Sequence, residues 1–234
     1  MRSRPILATL PAVVCLAAAS AGADILVTEF MPNPGGTDLE REWIEIYNSG
    51  PDAIDISNYK VGDEEAEPDG GPGGEGMFQF PANTIMAPGQ VFVIANTALG
   101  FEELYGFIPD FEVNLSSTLN SDAVPDMVPY LSWGTATALI MANGGDHALI
   151  VDDNDVIIDG ANHGNVSKFF EAGVTLATNE SLERVPADVD TDSHDDFVFR
   201  AAGQATPGAV TIPEPTSLAL AGVAAAGLLG RRRR

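Results

Sequence analysis

The chain has 234 residues with 11 Lys and Arg against 34 Asp and Glu, a formal charge of −23 and a pI near 4.1. That length suits one domain plus attachments, and the negative field repels phosphate backbones and anionic headgroups, which excludes a nucleic-acid partner. Hydrophobic residues at 45% and charged residues at 19% mark a globular chain, not an acidic disordered tail.

Charge is distributed unevenly along the chain. Every acidic residue lies between Asp24 and Glu214, where five basic residues face all 34, a net of −29. At the N-terminus Arg2 and Arg4 precede an apolar run, Ile6 to Ala19, that reaches Ala21-Gly22-Ala23. A basic start, about 14 apolar residues and a small-x-small end make a signal peptide cut after Ala23, since ~20 residues are needed to span a bilayer. An uncleaved N-terminal anchor is the alternative. Cys15, the single cysteine, falls inside the removable run. The mature chain is therefore expected to have no disulfide, no Cys-ligated zinc and no thiol nucleophile.

From Asp24 to about Val210 the apolar pattern is short and alternating. Ile25–Phe30, Trp43–Tyr47, Val91–Ile94, Leu139–Met141, Ala148–Val151, Val156–Ile158 and Phe197–Arg200 predict strands, rich in β-branched and aromatic residues and bounded by turn formers. Asn143-Gly144, Asp153-Asn154 and Pro88-Gly89 supply tight turns. One short helix is predicted around Ala98 to Tyr105. Without a repeating βαβ rhythm a parallel sheet is not expected, and antiparallel pairing follows. Glu42 and Glu45 beside the Trp43 strand are expected to pair with Arg41 and Arg184 in a structural role.

These segments resemble the lamin tail domain. The pieces that carry the resemblance, in family order, are Thr28-Glu29-Phe30-Met31-Pro32-Asn33-Pro34, Glu42-Trp43-Ile44-Glu45-Ile46-Tyr47-Asn48 and Asp55-Ile56-Ser57-Asn58-Tyr59. After them come Ala87-Pro88-Gly89, Asn143-Gly144-Gly145-Asp146, Glu180-Ser181-Leu182-Glu183-Arg184 and Ala205-Thr206-Pro207-Gly208. Asn58-Tyr59 stands where that family usually has Gly-Trp. The resemblance implies an all-β, immunoglobulin-like β-sandwich over 24–210, with insertions at about 64–76 and 110–137. The first insertion is acidic residues, Gly, Pro and one Ala, with nothing to bury, and is expected as a mobile loop. The second mixes prolines with Phe111, Leu115, Leu119 and Trp133 and is expected to pack partly on the sandwich.

The dense oxygen cluster lies late in the chain. Asp188, Asp190 and Asp192 match the first three ligand positions of an EF-hand loop, with Asp195 beside them. Ser193 stands where that loop needs Gly, and Phe199 where a bidentate Glu belongs. Solvated Asx turns are the main reading, and weak, millimolar-range calcium binding the minor one, so no cofactor is assigned. His147, His163 and His194 share no metal-ligand spacing and are expected as surface or capping residues. No H-E-x-x-H, G-x-S-x-G or G-x-x-x-x-G-K pattern occurs, and no catalytic residue is assigned.

Ile212-Pro213-Glu214-Pro215 opens the last segment, 211–234. Residues 216–230 carry no charge, and Arg231, Arg232, Arg233 and Arg234 follow. The two prolines hold Glu214 on an extended strand. Fifteen apolar residues at ~1.5 Å each give roughly 22 Å, a marginal transmembrane helix whose arginines stay cytoplasmic. This order resembles a PEP-CTERM sorting signal. The resemblance implies recognition by an exosortase, a membrane enzyme that cuts near the Pro-Glu-Pro and passes the protein to the cell surface. A plain C-terminal tail anchor is the alternative. The resulting reading is an exported, non-enzymatic envelope module whose partners are an exosortase-like enzyme and extracellular polysaccharide or another envelope protein. Its rivals are a secreted hydrolase using the carboxylates near Glu42 and Glu45 or the aspartate loop, and a calcium-stabilised adhesion domain.

Overall fold

β-Branched and aromatic runs favour strands because their side chains pack on a pleated surface. The computed structural model describes residues 25–63, 75–135 and 137–212; the expected signal peptide, residues 64–74 of the acidic insertion and the expected C-terminal helix lie outside these. In chain order the strands are β1 (Ile25–Met31), β2 (Trp43–Asn48), β3 (Ile54–Asp55), β4 (Lys60–Gly62), β5 (Met77–Gln79), β6 (Ile85–Met86) and β7 (Val91–Ala95). A helix, α1 (Ala98–Tyr105), precedes β8 (Phe111–Glu112), β9 (Val128–Pro129), β10 (Gly145–Val151), β11 (Ile157–Gly164), β12 (Ser181–Arg184) and β13 (Phe197–Arg200). Six strands form one sheet in the order β13-β12-β1-β2-β7-β8, and five form a second, β11-β10-β4-β5-β9. Strands β3 and β6 make a separate ribbon.

The two sheets pack as a β-sandwich. Val27, Phe30, Ile44 and Ile46 of the first meet Val61, Phe78, Ile150 and Ala161 of the second in one core. Period-two alternation sends Trp43 and Glu45 to the outer face. There α1 forms a third layer: Phe101 packs with Met31, Trp43, Val93 and Ala95, and Tyr105 adds to them. Trp43 meets the rings of Phe101 and Tyr105 edge-on and donates its indole N–H to the Tyr105 hydroxyl at 3.1 Å. The helix ends on Gly106 at φ 78, the left-handed C-cap that glycine adopts without strain. Asn58 sits at φ 69, a left-handed conformation that Asn tolerates better than most residues.

Three expectations need correction. Leu139–Met141 is not a strand. Its backbone donors are taken by side chains from other elements: Leu139 N–H by Asn96 Oδ1 at 2.8 Å, Ile140 N–H by Asp63 Oδ2 at 2.6 Å and Met141 N–H by Glu42 Oε2 at 3.0 Å. Ala142 N–H goes to Asp146 in the same way. The Val156 strand begins one residue later and runs on to Gly164, through a Gly-Ala-Asn-His-Gly stretch of low β-propensity that pairs residue by residue with β10. Pairing is also not wholly antiparallel. Strands β7 and β8 are parallel, because α1 carries the chain across between them. Residues 110–137 supply β8 and β9, which end the two sheets, and bury Phe111, Val113, Met127 and Trp133.

Asn96 also donates to Leu139 O at 2.8 Å and to Leu39 O at 2.7 Å, so one amide closes the end of the sandwich. Asn96→Ala leaves the buried N–H of Leu139 and two carbonyls without their partner and is expected to lower stability by about 3 kcal/mol in urea unfolding, at 1–3 kcal/mol per unsatisfied buried group.

Candidate functional site

The calcium candidates are the natural starting point, and the structure gives them another cation. Strand β12 places Arg184 beside β1, fully buried. Its Nε donates to Val27 O at 3.0 Å, and Nη2 to both oxygens of Asp159 at 3.0 and 2.9 Å. Nη1 reaches Val189 O and Asp190 Oδ1, each at 3.1 Å, and Asp196 Oδ2 at 3.5 Å. The guanidinium lies over Phe197 at 4.6 Å. Asp196 also accepts from Thr191 N–H at 2.7 Å and Thr191 Oγ1 at 2.6 Å. The loop is thus wound around a protein cation. Asp188, Asp192 and Asp195 are exposed. Asp192, at φ 52, turns its N–H to Asp190 Oδ1 at 3.2 Å, and Asp195 turns its own to Ser193 Oγ at 3.2 Å. These are Asx- and Ser-type turns. Among the described residues no group of three or more His, Cys, Asp or Glu could hold a metal ion.

Beside Arg184 lies a cleft of about 180 Å³ walled by Ile158, Phe169, Phe170 and Phe197. Phe169 and Phe170 are fixed by their N–H groups, which donate to Asn162 Oδ1 at 3.1 and 3.0 Å. Such a volume holds roughly six waters at ~30 Å³ each, below the ~300 Å³ at which ligand pockets begin.

A second arrangement crosses the outer face of the larger sheet. Glu29 is register partner to Glu183 on one side and to Glu45 on the other, giving a row of three carboxyls across β12, β1 and β2. All three are buried. Ser181 Oγ donates to Glu29, Thr28 Oγ1 to Glu45 at 2.6 Å, and Arg200 pairs with Glu183. Residues 201–211 close over the row: Thr206 N–H donates to Glu29 Oε2 at 3.1 Å and Gly208 N–H to Glu45 Oε2 at 2.6 Å. Burial outweighs these bonds, pushing Glu29 up to about 7 and Glu45 up to about 8.

The third group joins Glu42, Asp63, Asp146, His147 and His163, all buried. Burial first, then neighbouring Asp63, Asp38 and Asp146, raises Glu42 to about 10. Asp63 is raised well above the usual carboxylate range by burial and by Asp146. Burial lowers His163 to about 4, and its ring lies 5.9 Å from that of Phe30. Surface or capping histidines were expected; His147 and His163 are interior. Glu42 and Glu45 do not pair with Arg41 or Arg184 either. Arg41 binds Glu103 and Gly35 O, while both glutamates accept backbone N–H groups. Sequence reasoning missed Asp159, Asp63 and Glu29, whose signal, an acid inside an apolar alternation, is visible only in Glu29.

Comparison with known proteins follows this geometry. The lamin tail domain profile matches residues 18–167. The chain belongs to the lamin tail domain family. A PEP-CTERM protein-sorting motif matches residues 211–234. A crystal structure of a DUF4876 family protein from Bacteroides thetaiotaomicron shares the fold, with a TM-score of 0.58 at 16% identity over 83% of this chain and 75% of that one. No curated protein matches. In this lamin tail domain protein β12 lies inside the six-stranded sheet, hydrogen-bonded to β1, so the folded unit runs past the matched residues.

Two outcomes follow. Arg184→Met leaves Asp159, Asp190 and Asp196 around an uncompensated buried site and should cost about 3–5 kcal/mol in urea unfolding, with Arg184→Lys between it and wild type because the bidentate geometry is lost. Carboxyls held above their unfolded values stabilise the fold fully below those values and lose that contribution as pH rises through the folded ones, here about 6 for Asp159, about 7, about 8 and about 10. His163 acts oppositely, losing stability as pH falls from 6.5 to about 4, but is one group against several. The melting temperature at pH 9 should lie at least about 5 °C below that at pH 5.5, taking ~2–4 °C per kcal/mol for this size.

Proposed function

We propose that this protein is a non-enzymatic module of the cell envelope, exported and then sorted by an exosortase-type membrane enzyme that acts near Pro213-Glu214-Pro215. The observation that carries this reading is the PEP-CTERM motif at 211–234 following directly on a lamin tail sandwich in which Thr211 is still hydrogen-bonded, to Ala187. The N-terminal segment ending at Ala23 is its export signal, and the uncharged stretch 216–230 with Arg231 to Arg234 is its temporary membrane stop. A structural or binding role suits the body: its buried carboxyls are committed to backbone donors, and its pairs of acids and histidines are enclosed. The excess of acidic residues keeps copies apart and suits a hydrated extracellular setting.

Arg184 supports a fold that needs no calcium, because the loop most like a calcium site already has a cation at its centre. Two measurements test the proposal. Mass spectrometry of the protein from its native cell should find a chain that begins at Asp24 and lacks residues beyond about Pro215; an intact Arg231 to Arg234 tail would favour a permanent anchor. Chelator should leave the melting temperature unchanged, whereas a fall of several degrees would restore the calcium-stabilised alternative.

A further inference from the structure

Asn143 opens the turn that leads into β10. It is the one asparagine of the chain that precedes a glycine, and both residues of the pair are exposed. Gly145 N–H closes the turn on Ala142 O at 3.1 Å. A side-chain carbon added at Gly144 would meet no atom within 4 Å, so no neighbouring element crowds the Gly144 main chain on that side. Other asparagines lack one condition or the other. Asn48, Asn96 and Asn162 are buried with hydrogen-bonded carboxamides, while Asn114 and Asn165 are exposed but precede Leu and Val, whose side chains shield the nitrogen between. The turn also joins two parts of the fold. Asn143 Nδ2 donates to Asp38 Oδ2 at 3.0 Å, tying the connection between β1 and β2 to the start of β10. Gly144 O accepts from Asn165 N–H at 3.3 Å. Gly164, the register partner of Gly145, lies so close that a side-chain carbon there would sit 2.2 Å from Gly144 O. The backbone has no slack at this point.

We propose that Asn143 is a self-modifying site: the Gly144 nitrogen converts its carboxamide to an aspartyl or isoaspartyl carboxyl, and the conversion unties Asp38 from the β10 turn. That nitrogen attacks Cγ of Asn143. The N–Cγ bond forms, the Cγ–Nδ2 bond breaks, and the Gly144 amide proton leaves with Nδ2 as ammonia. Water then opens the cyclic imide at either carbonyl. Opening at Cγ restores the original main chain and leaves aspartate; opening at the main-chain carbonyl routes the chain through the side chain and adds a methylene, which is isoaspartate. Water is the sole co-reactant, and the exposed turn meets it directly. Either product loses the donor that Asp38 accepts from and gains a carboxylate in its place. The new charge lies beside Asp38 and three residues from Asp146, both of which already bear electrostatically on Glu42. Like charges at that range repel where a hydrogen bond stood before. Isoaspartate also lengthens the chain where Gly144 O and Gly164 pack. The inference is independent of the sorting function proposed above.

Incubating the full chain in mildly alkaline buffer and following its peptides by mass spectrometry tests this. The peptide holding Asn143 should gain about 1 Da, as an amide becomes a carboxyl, and split into two species of equal mass before any other asparagine peptide changes. Gly144→Val, which the open space accommodates, should slow the change about tenfold or more, because a β-branched side chain stiffens and crowds the attacking nitrogen. Asn143→Asp supplies the product directly. It should melt about 2–4 °C below wild type, the shift that follows loss of one hydrogen bond in a chain of this size, with Asn143→Ala between them because it loses the bond without adding charge. An Asn143 carboxamide that outlasts those of other asparagines, or a rate indifferent to Gly144→Val, overturns the site. An Asn143→Asp protein that melts with wild type overturns the untying.

Discussion

Acidic side chains serve this fold as acceptors for backbone amides that no strand satisfies. Asp159 takes Val27 N–H at 2.7 Å, Asp63 takes Gly76 at 2.7 Å and Ile140 at 2.6 Å, and Glu112 takes Ala98 at 2.7 Å and Ser121 at 2.8 Å. Glu42, Glu45 and Glu29 do the same for Met141, Gly208 and Thr206. Each donor left without a partner inside the protein would cost roughly 1–3 kcal/mol. A sandwich with long irregular crossovers and no thiol in its body has many such donors, and carboxyl oxygens meet them. The strongly acidic composition is thus partly internal architecture and not only surface charge.

Burial and hydrogen bonding pull these groups in opposite directions. A bond from N–H stabilises the ionised carboxylate, while loss of water destabilises it. Where a cation is close, as Arg184 is to Asp159, the rise is limited to about 6; where none is, as at Glu42, burial carries the group to about 10. The fully buried Arg184 is accordingly placed where three aspartates converge. At Glu42, Glu45 and Glu29, where burial is the largest influence, the carboxyls are instead held up towards the protonated form.

Much of the fold was legible because its central strands are continuous β-branched runs. Residues 25–30, 43–47, 91–94 and 148–151 pack on a core and read as strands without help, and α1 coincides with the predicted helix. The second half of β11 was not legible, since Gly160 owes its extended form to pairing with β10. Leu139–Met141 misled for the opposite reason. Leu139 and Met141 fill the core, but the amides of the segment bond to side chains, which no periodicity reports. The candidate sites failed similarly: Asp159 lies 25 residues from Arg184 and joins it only through sheet topology, so the aspartates at 188, 190, 192 and 195 looked like a metal loop.

The function proposed above makes the two tags and the body one sequence of events, export followed by sorting, with the sandwich as the retained part. Residues 201–211 complete the outer face, because Glu29 and Glu45 accept the N–H groups of Thr206 and Gly208. The account stands on these interior carboxyls being protonated near neutrality. Site-resolved carboxyl carbon shifts followed by NMR from pH 3 to pH 10 measure this directly. Glu42, Glu45 and Glu29 should remain protonated past pH 6 and titrate in the order Glu29, Glu45, Glu42; titration of all three near 4.5, the value of a hydrated glutamate, would contradict it.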